Sequence, residues 1–429
     1  MLEKFKGVKT ALRNKKRPKD NDQYVVGLDI GTEFVKALIA RVRQDEVEVI
    51  GVGKAHQEFA DMQAGAIADI AAVVQNCDRA LSQAERQAGV SARDTVIGIA
   101  GELVKGTTIT VTCARQSPEK PLDIEEVEHI VGLVQERAEK KARKQLFVDM
   151  GGKDIEIRLV NSALVGIEID GYSVTNPVGF QGKDVVVQLY TAFAPMIHIG
   201  ALEKTAQELD LDLLAVAAEP FAVARSVIGN DPNQNKNAVL MDVGGGTTDI
   251  AVVQEGGLQG TEMFGIGGRA FTRAIERDKD IDFTAAEKIK LALDKDTLPE
   301  HEKERALEAV KKTLDVWLSG VELALNEFDS LDYLPNKILL CGGGSSLRSL
   351  MERLKEQSWY SELPFTKRPS IEHIDPKNVY NIKDATGDVT DHTFITALGL
   401  LRVGLDTLQQ QAGSDTGTIR QKLDRMLRI

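Results

Sequence analysis

The sequence predicts an α/β protein built of two related lobes, with a small α+β subdomain inserted in the chain. Two stretches predict the lobes. Residues 25–39, VVGLDIGTEFVKALI, run from apolar residues through Asp29, Gly31 and Thr32 into a second apolar run. Residues 239–253, VLMDVGGGTTDIAVV, repeat that order with Asp242, Gly244, Gly245, Gly246, Thr247 and Asp249. One strand–turn–strand unit recurring about 210 residues apart suggests two homologous halves that share a ligand. A third observation, a change of texture over 94–190, predicts the insertion: short strands crowd there around a single amphipathic helix.

A two-residue hairpin turn needs one or two glycines, not three, and it needs no acid at its entrance. Glycines in series let a backbone approach a ligand closely and aim several N–H groups at one point, as phosphate loops do. A plain turn and a phosphate cradle both fit the second stretch alone; its duplication favours the cradle. The chemistry then suits a nucleotide and its metal. Asp29 and Asp242 would face Mg²⁺ through water, because that ion keeps most of its hydration shell. Thr32 and Thr247 offer hydroxyls, the N–H groups of Gly31, Gly244, Gly245 and Gly246 take phosphate oxygens, and Lys36 can reach back to neutralise a phosphate.

The remaining elements follow in order. Residues 14–23 are polar and read as a linker, and a strand, hairpin and strand fill 24–53. Ile70, Val73, Val74, Cys77 and Leu81 recur at helical spacing and predict a helix within 66–89 that stops at Gly89. In the insertion TVIGIAG, TTITVTC, LFVDMGG, DIEIRLV and VVVQLYT read as strands, with a helix over about 123–142. Within it VDMGG imitates the Asp-x-Gly signature but lacks the Thr-Thr-Asp that follows Gly246, so Asp149 is expected to be a turn acid. A helix near 196–209, a strand near 213–217 and a long helical region over 268–330 come next. Finally KILLCGGGSSL breaks an apolar strand into Gly342, Gly343, Gly344 and Ser345 before a helix opens at Leu347. That junction fits either a tight strand–helix turn or a glycine floor under a flat nucleoside.

Composition narrows the classes. The 429 residues suffice for several domains, and 42% hydrophobic with 28% charged residues is ordinary for a soluble chain. A net charge of −12 argues against nonspecific nucleic-acid binding by the body of the protein. Cys77, Cys113 and Cys341 lie far apart, which predicts neither a zinc site nor a disulfide framework. Neither a secretory signal nor a run of ~18 apolar residues is present, so a cytoplasmic protein is expected. The ends differ from the body: residues 1–19 hold eight Lys/Arg against one acid.

With these pieces in order, the chain resembles the actin/heat-shock chaperone/sugar-kinase superfamily of ATPases, so the resemblance implies a two-lobed actin-like ATPase fold. Asp29–Lys36 is similar to the first phosphate motif, Glu219-Pro220 with Ala222 to the first connecting helix, and Asp242–Asp249 to the second phosphate motif. Leu340–Ser345 resembles the adenosine motif, and Ala397-Leu398-Gly399 the second connecting helix. Ala286–Lys290 resembles a bacterial-actin segment whose Glu and Lys approach ribose and adenine, which implies that role for Glu287 and Lys290. A plain solvated helix face is the alternative there. Glu219 matches the superfamily residue that orients the attacking water, which implies slow ATP hydrolysis.

Within the superfamily, VIGVGKAHQEFADMQAGAIADI and Asn176-Pro177-Val178-Gly179 with Gly182 resemble the FtsA family of division actins. Members often lack an acid at the position of Glu219. The resemblance implies a membrane-peripheral, ATP-binding cell-division protein that polymerises and tethers an FtsZ-like ring to the inner face of the cell membrane. Implied partners are an FtsZ-like protein, further copies of the chain and an anionic membrane, with no nucleic acid. A PilM-like adaptor of type IV pilus assembly is the alternative, since GIGGRAFTRAI shares its texture. The implied organisation is a basic segment and linker over 1–23, a first lobe from 24–93 and 191–225, the insertion over 94–190, a second lobe over 226–406 and a linker over 407–416. The insertion carries no expected ligand and is expected to mediate contacts.

Residues 417–429, GTIRQKLDRMLRI, complete the chain as a predicted amphipathic helix. Ile419, Leu423, Met426 and Leu427 collect on one face, and Arg420, Lys422, Arg425 and Arg428 occupy the rest. The pattern suits an anionic bilayer surface, where each cation contributes roughly 1 kcal/mol. A helix docked on the body is the alternative, and the N-terminal segment could provide a second anchor.

Overall fold

The computed structural model describes residues 22–43, 46–101, 104–228, 236–295, 297–329, 331–356 and 359–412. The predicted membrane helix with Ile419 to Arg428, and residues 1–21, lie outside the described residues.

Strands β1 (Gln23–Ile30), β2 (Phe34–Arg43) and β3 (Glu46–His56) form the first meander, followed by helix α1 (Ile70–Ala88) and strand β4 (Asp94–Ile99). Asp69 caps α1 by accepting from the N–H groups of Ala71 and Ala72, and Gly89 ends it in the left-handed region at φ +70°. The insertion follows with β5 (Lys105–Ala114), α2 (Ile124–Asp149), β6 (Ile157–Ile169), β7 (Tyr172–Ser173) and β8 (Asp184–Pro195). Helix α3 (Met196–Glu208), strand β9 (Asp212–Ala218) and helix α4 (Glu219–Ile228) return to the first lobe.

The second lobe contains β10 (Ala238–Val243), β11 (Thr248–Gln254) and β12 (Gly257–Phe264), then α5 (Gly268–Lys279), α6 (Phe283–Asp294) and α7 (Glu300–Asn326). Strand β13 (Lys337–Cys341), helix α8 (Arg348–Leu354) and strand β14 (Ser370–His373) complete it. Strand β15 (Ile382–Asp384) and helix α9 (Ile395–Ala412) close the described chain.

Two sheets carry the architecture. One runs β9-β4-β1-β2-β3-β15 and the other β14-β13-β10-β11-β12-β5-β8-β6-β7. Each lobe has its own apolar core: Val26, Leu28, Leu38 and Leu81 in the first, Met241, Phe271, Trp317 and Leu340 in the second. The two predicted hairpins are antiparallel pairs, with Asp29 opposite Lys36 and Asp242 opposite Asp249.

Several boundaries differ from the sequence reading. Residues 94–99 were expected to open the insertion, yet β4 pairs in parallel with β1 through Val26–Thr95 and lies in the first sheet. Strand β15 pairs with β3, and Ile395, Leu398, Leu401 and Leu405 of α9 sit in the first core, so the end of the predicted second lobe returns to the first. An apolar run announces a strand or helix without saying which sheet it joins. LFVDMGG is not a strand. Ala138, Ala142 and Leu146 continue one buried helical stripe, and α2 stops at Gly151 and Gly152, both at positive φ. Asp149 ends that helix and pairs with Lys105 at 2.8 Å. Helix α9 also runs to Ala412, through residues expected to be linker.

The insertion is not a separate bead. Thr107 opposite Gly260 and Gly106 opposite Thr261 join β5 to β12, so its sheet continues that of the second lobe. On the other side Asn161 Oδ1 accepts the N–H of Ala218 at 2.7 Å, and the Tyr190 ring stacks on Phe221 with centroids 5.8 Å apart. The connecting helices cross where Gly399 meets Ala222: a Cβ on Gly399 would stand 2.2 Å from the Ala222 carbonyl oxygen.

Candidate functional site

The turns of both hairpins meet at the bottom of a cleft between the lobes. Asp29, Gly31, Thr32 and Lys36 line it from the first lobe, with Glu219. Asp242, Gly244, Gly245, Thr247, Glu287, Lys290, Gly342, Gly343 and Gly344 line it from the second. Of the cleft residues read from the sequence, Gly246 is the exception. It backs onto Thr32 and lines a neighbouring cavity with Thr32, Gly245 and Arg269.

The local chemistry is dominated by buried carboxylates. Asp29, Glu219, Asp242 and Asp249 are all nearly inaccessible, and Lys36 is the part-buried lysine among them. Lys36 Nζ donates to Asp29 Oδ2 at 2.8 Å. Burial alone would lower its pKa, but Asp29, Asp242 and Glu219 outweigh that and raise it. The Glu219 carboxyl is pushed well above its ordinary value by burial and then by Asp29, Asp249 and Asp242, against the pull of Lys36. Burial likewise raises Asp242 and Asp249.

Asp242 is held by a group the sequence reading did not single out. Thr396 at the start of α9 donates to its Oδ2. Gly342 follows Cys341 at φ +79°, where a Cβ would lie 2.0 Å from Asp242 Oδ1; only glycine fits there. Asp249 Oδ2 accepts from Thr247 at 3.4 Å, while its Oδ1 is buried without a hydrogen-bond partner.

Helix α5 clamps the second hairpin from behind, with Gly268 N–H on Gly244 O at 2.9 Å and Arg269 N–H on Gly245 O at 2.8 Å. The Arg269 side chain crosses to the first lobe, donating to Glu33 Oε2 and to Thr32 O, each at 2.7 Å. On α6, Lys290 pairs with Glu287 at 2.8 Å and donates to Gly268 O at 3.1 Å, so both predicted residues face the cleft from one helix.

Comparison with known proteins adds a family to this geometry. The profile of the family "Cell division protein FtsA" matches residues 239–399, from the second hairpin to the second connecting helix. A cell division protein FtsA of Pseudomonas aeruginosa is 27% identical over 402 residues, covering 89% of each chain. The chain is thus similar to FtsA cell-division proteins along most of its length. An FtsA of Streptococcus pneumoniae is 28% identical over 355 residues, which cover 78% of the FtsA-like chain and 73% of that relative. Among solved structures, a PilM–PilN type IV pilus biogenesis complex superposes with a TM-score of 0.64 at 18% identity, covering 89% of the FtsA-like chain and 98% of the other. That likeness shows the actin-like fold.

The sequence could have yielded one of the missed residues, because Thr396 directly precedes the Ala397-Leu398-Gly399 motif of the FtsA-like chain. Arg269 had weaker signal: it follows a glycine pair, but its partners lie more than 230 residues earlier.

Proposed function

We propose that the chain binds ATP with Mg²⁺ between its lobes and acts as an ATP-binding cell-division protein that polymerises and tethers an FtsZ-like ring to the membrane. The observation that carries the nucleotide reading is the convergence of two Asp-x-Gly hairpins and the Gly342–Gly344 turn on one cleft. The division reading rests on the likeness to FtsA proteins along most of the chain.

The residues fit a magnesium ion held through its waters. Four buried carboxylates face one part-buried lysine, and Asp249 Oδ1 has no hydrogen-bond partner, so the bottom of the cleft has unmet acceptor capacity. Among the described residues no group of three His, Cys, Asp or Glu side chains could hold an ion directly. Asp29 and Asp242 would hold the hydrated ion, which supplies charge neutralisation to the phosphates. Glycine N–H groups of the hairpins and Lys36 bind and orient the phosphates. Glu287, Lys290, Gly343 and Gly344, which line the same cleft, would hold the nucleoside. Glu219, which lines the same cleft at the start of α4, would orient the attacking water. Turnover is slow, and ATP chiefly sets the angle between lobes.

At the membrane, the cationic amphipathic segment 417–429 anchors the chain to anionic lipid, weakly for one copy and firmly for a polymer. Among the described residues no helix is long and apolar enough to cross a bilayer. The test is co-sedimentation of purified chain and FtsZ with anionic vesicles, with and without ATP and Mg²⁺. FtsZ should pellet only when the chain is present; FtsZ remaining in the supernatant in every mixture would refute the tethering role.

A further inference from the structure

A transverse row of charges crosses the first sheet just above the cleft floor. Asp29 of β1 stands opposite Lys36 of β2, and Lys36 stands opposite Lys54 of β3. Directly opposed residues of antiparallel strands share a face, so two lysines sit side by side where like charges are destabilising. Lys36 is compensated by Asp29 at 2.8 Å. Lys54 has no carboxylate partner among the described residues; its ammonium rests 3.9 Å from the centroid of the Phe34 ring. Both lysines and Phe34 line the cleft together with Gly31, Gly244 and Gly343.

Lys54 is exposed at the rim of the cleft, and among the described residues no carboxylate answers its charge, only the Phe34 ring. A buried ion pair between Lys54 and an acid would be ordinary, and a lone lysine at the rim would be solvated surface. Adjacent cations on the wall of a cleft fit a ligand with adjacent negative groups. Gly244 O and Gly245 O of the turn already accept from the N–H groups of Gly268 and Arg269, and glycine-rich turns of this kind suit an anionic ligand. Burial and the neighbouring Lys36 hold the Lys54 ammonium below its ordinary pKa, against the weaker pull of Asp391 and Asp29, as expected for a cation short of counter-charge.

We infer that Lys54 is a second polyphosphate-binding lysine, which brackets the phosphates of the bound nucleotide from the cleft mouth while Lys36 holds them from within. The inference rests on the nucleotide reading and assigns it a residue from a third strand. Because Asp29 already neutralises Lys36, Lys54 contributes the larger uncompensated charge, and its effect grows with the charge of the ligand. It therefore favours a triphosphate over a diphosphate.

The full chain is titrated with Mg-ATP and Mg-ADP by calorimetry as wild type, Lys54→Gln and Lys54→Arg, and melted without nucleotide. Lys54→Gln should weaken ATP binding about tenfold, and ADP binding by a smaller factor, as for loss of one charge-assisted contact. Lys54→Arg should keep ATP affinity within about threefold, since it preserves the charge. Without nucleotide, Lys54→Gln should melt within about 2 °C of wild type, because it loses one ring contact but relieves repulsion from Lys36. Wild-type ATP affinity in Lys54→Gln overturns the inference while leaving the nucleotide reading intact. A large drop in melting temperature with unchanged affinity assigns Lys54 a structural role and overturns it too. Wild type that binds no ATP refutes both readings together.

Discussion

Thr396 of α9 donates its hydroxyl proton to Oδ2 of Asp242, joining a helix packed on the first lobe to the second phosphate hairpin. The acid proposed to face the metal is thereby oriented from the opposite lobe. Thr396→Val keeps the shape and removes the donor, and should weaken Mg-ATP binding about tenfold in calorimetry, the factor for one hydrogen bond to a charged group. Thr396→Ser should restore most of it. Asp242→Ala removes the charge itself and should weaken Mg²⁺-dependent binding far more. Unchanged affinity in Asp242→Ala would remove it from the site.

Glu219 is expected to act on water rather than on nucleotide. Glu219→Gln should leave ATP binding within about threefold of wild type while phosphate release falls at least ~100-fold, the lower range for a lost general base. A phosphate-release assay on both proteins decides it; equal rates would assign Glu219 a structural place at the start of α4.

Arg269 latches the lobes near the hairpin tips. Its guanidinium is nearly inaccessible, and Arg269→Ala would leave Glu33 Oε2 and Thr32 O without that donor. A loss of about 2–3 kcal/mol in denaturant unfolding is expected, as for breaking a largely buried pair. Arg269→Lys should recover little, since one ammonium cannot span both acceptors. A loss under ~0.5 kcal/mol would show that the latch is open in solution.

Acid should destabilise the chain through a histidine pair under the Gly342 turn. His373 and His392 stack with centroids 3.9 Å apart, and His392 Nε2 lies 3.1 Å from Ser346 Oγ. Burial and then His373 lower the His392 pKa from 6.5 to about 4, against the pull of Asp391. The unfolded chain then binds a proton that the folded chain refuses, so this contribution is full above pH ~6.5 and is lost as pH falls toward ~4. Melting curves from pH 7 to 4.5 should show a steeper decline for wild type than for His392→Gln. Parallel declines would discount the pair.

Deleting 417–429 should move most of the chain from anionic vesicles to the supernatant in sedimentation, whereas deleting 1–19 should have a smaller effect. Full pelleting after the C-terminal deletion would exclude that segment as the anchor.

The floor of the site was legible because its residues are local in sequence. Asp29 to Lys36 and Asp242 to Asp249 each span one hairpin, and a hairpin brings its own ends together. What was not legible is whatever two distant segments build jointly. Lys54 reads as one polar residue in an alternating strand until its register against Lys36 is known, and Arg269 reads as a helix surface until its reach to Glu33 is seen. The same reason misplaced 94–99 and 382–384, whose apolar pattern fits any sheet. The helical identity of LFVD was hidden by the glycines that follow it, which resemble a hairpin turn and instead stop a helix.

The crossing of Gly399 over Ala222 has a mechanical meaning. With no side chain between them, the two helix backbones touch almost as bare rods, and Glu219 lies one turn before that contact on the same helix. In any rotation of one lobe on the other, points near the axis travel least. A fulcrum at this crossing would keep Glu219 nearly still while parts of the lobes farther from it moved more. Opening the jaws would thus leave the water-handling carboxylate in register until late.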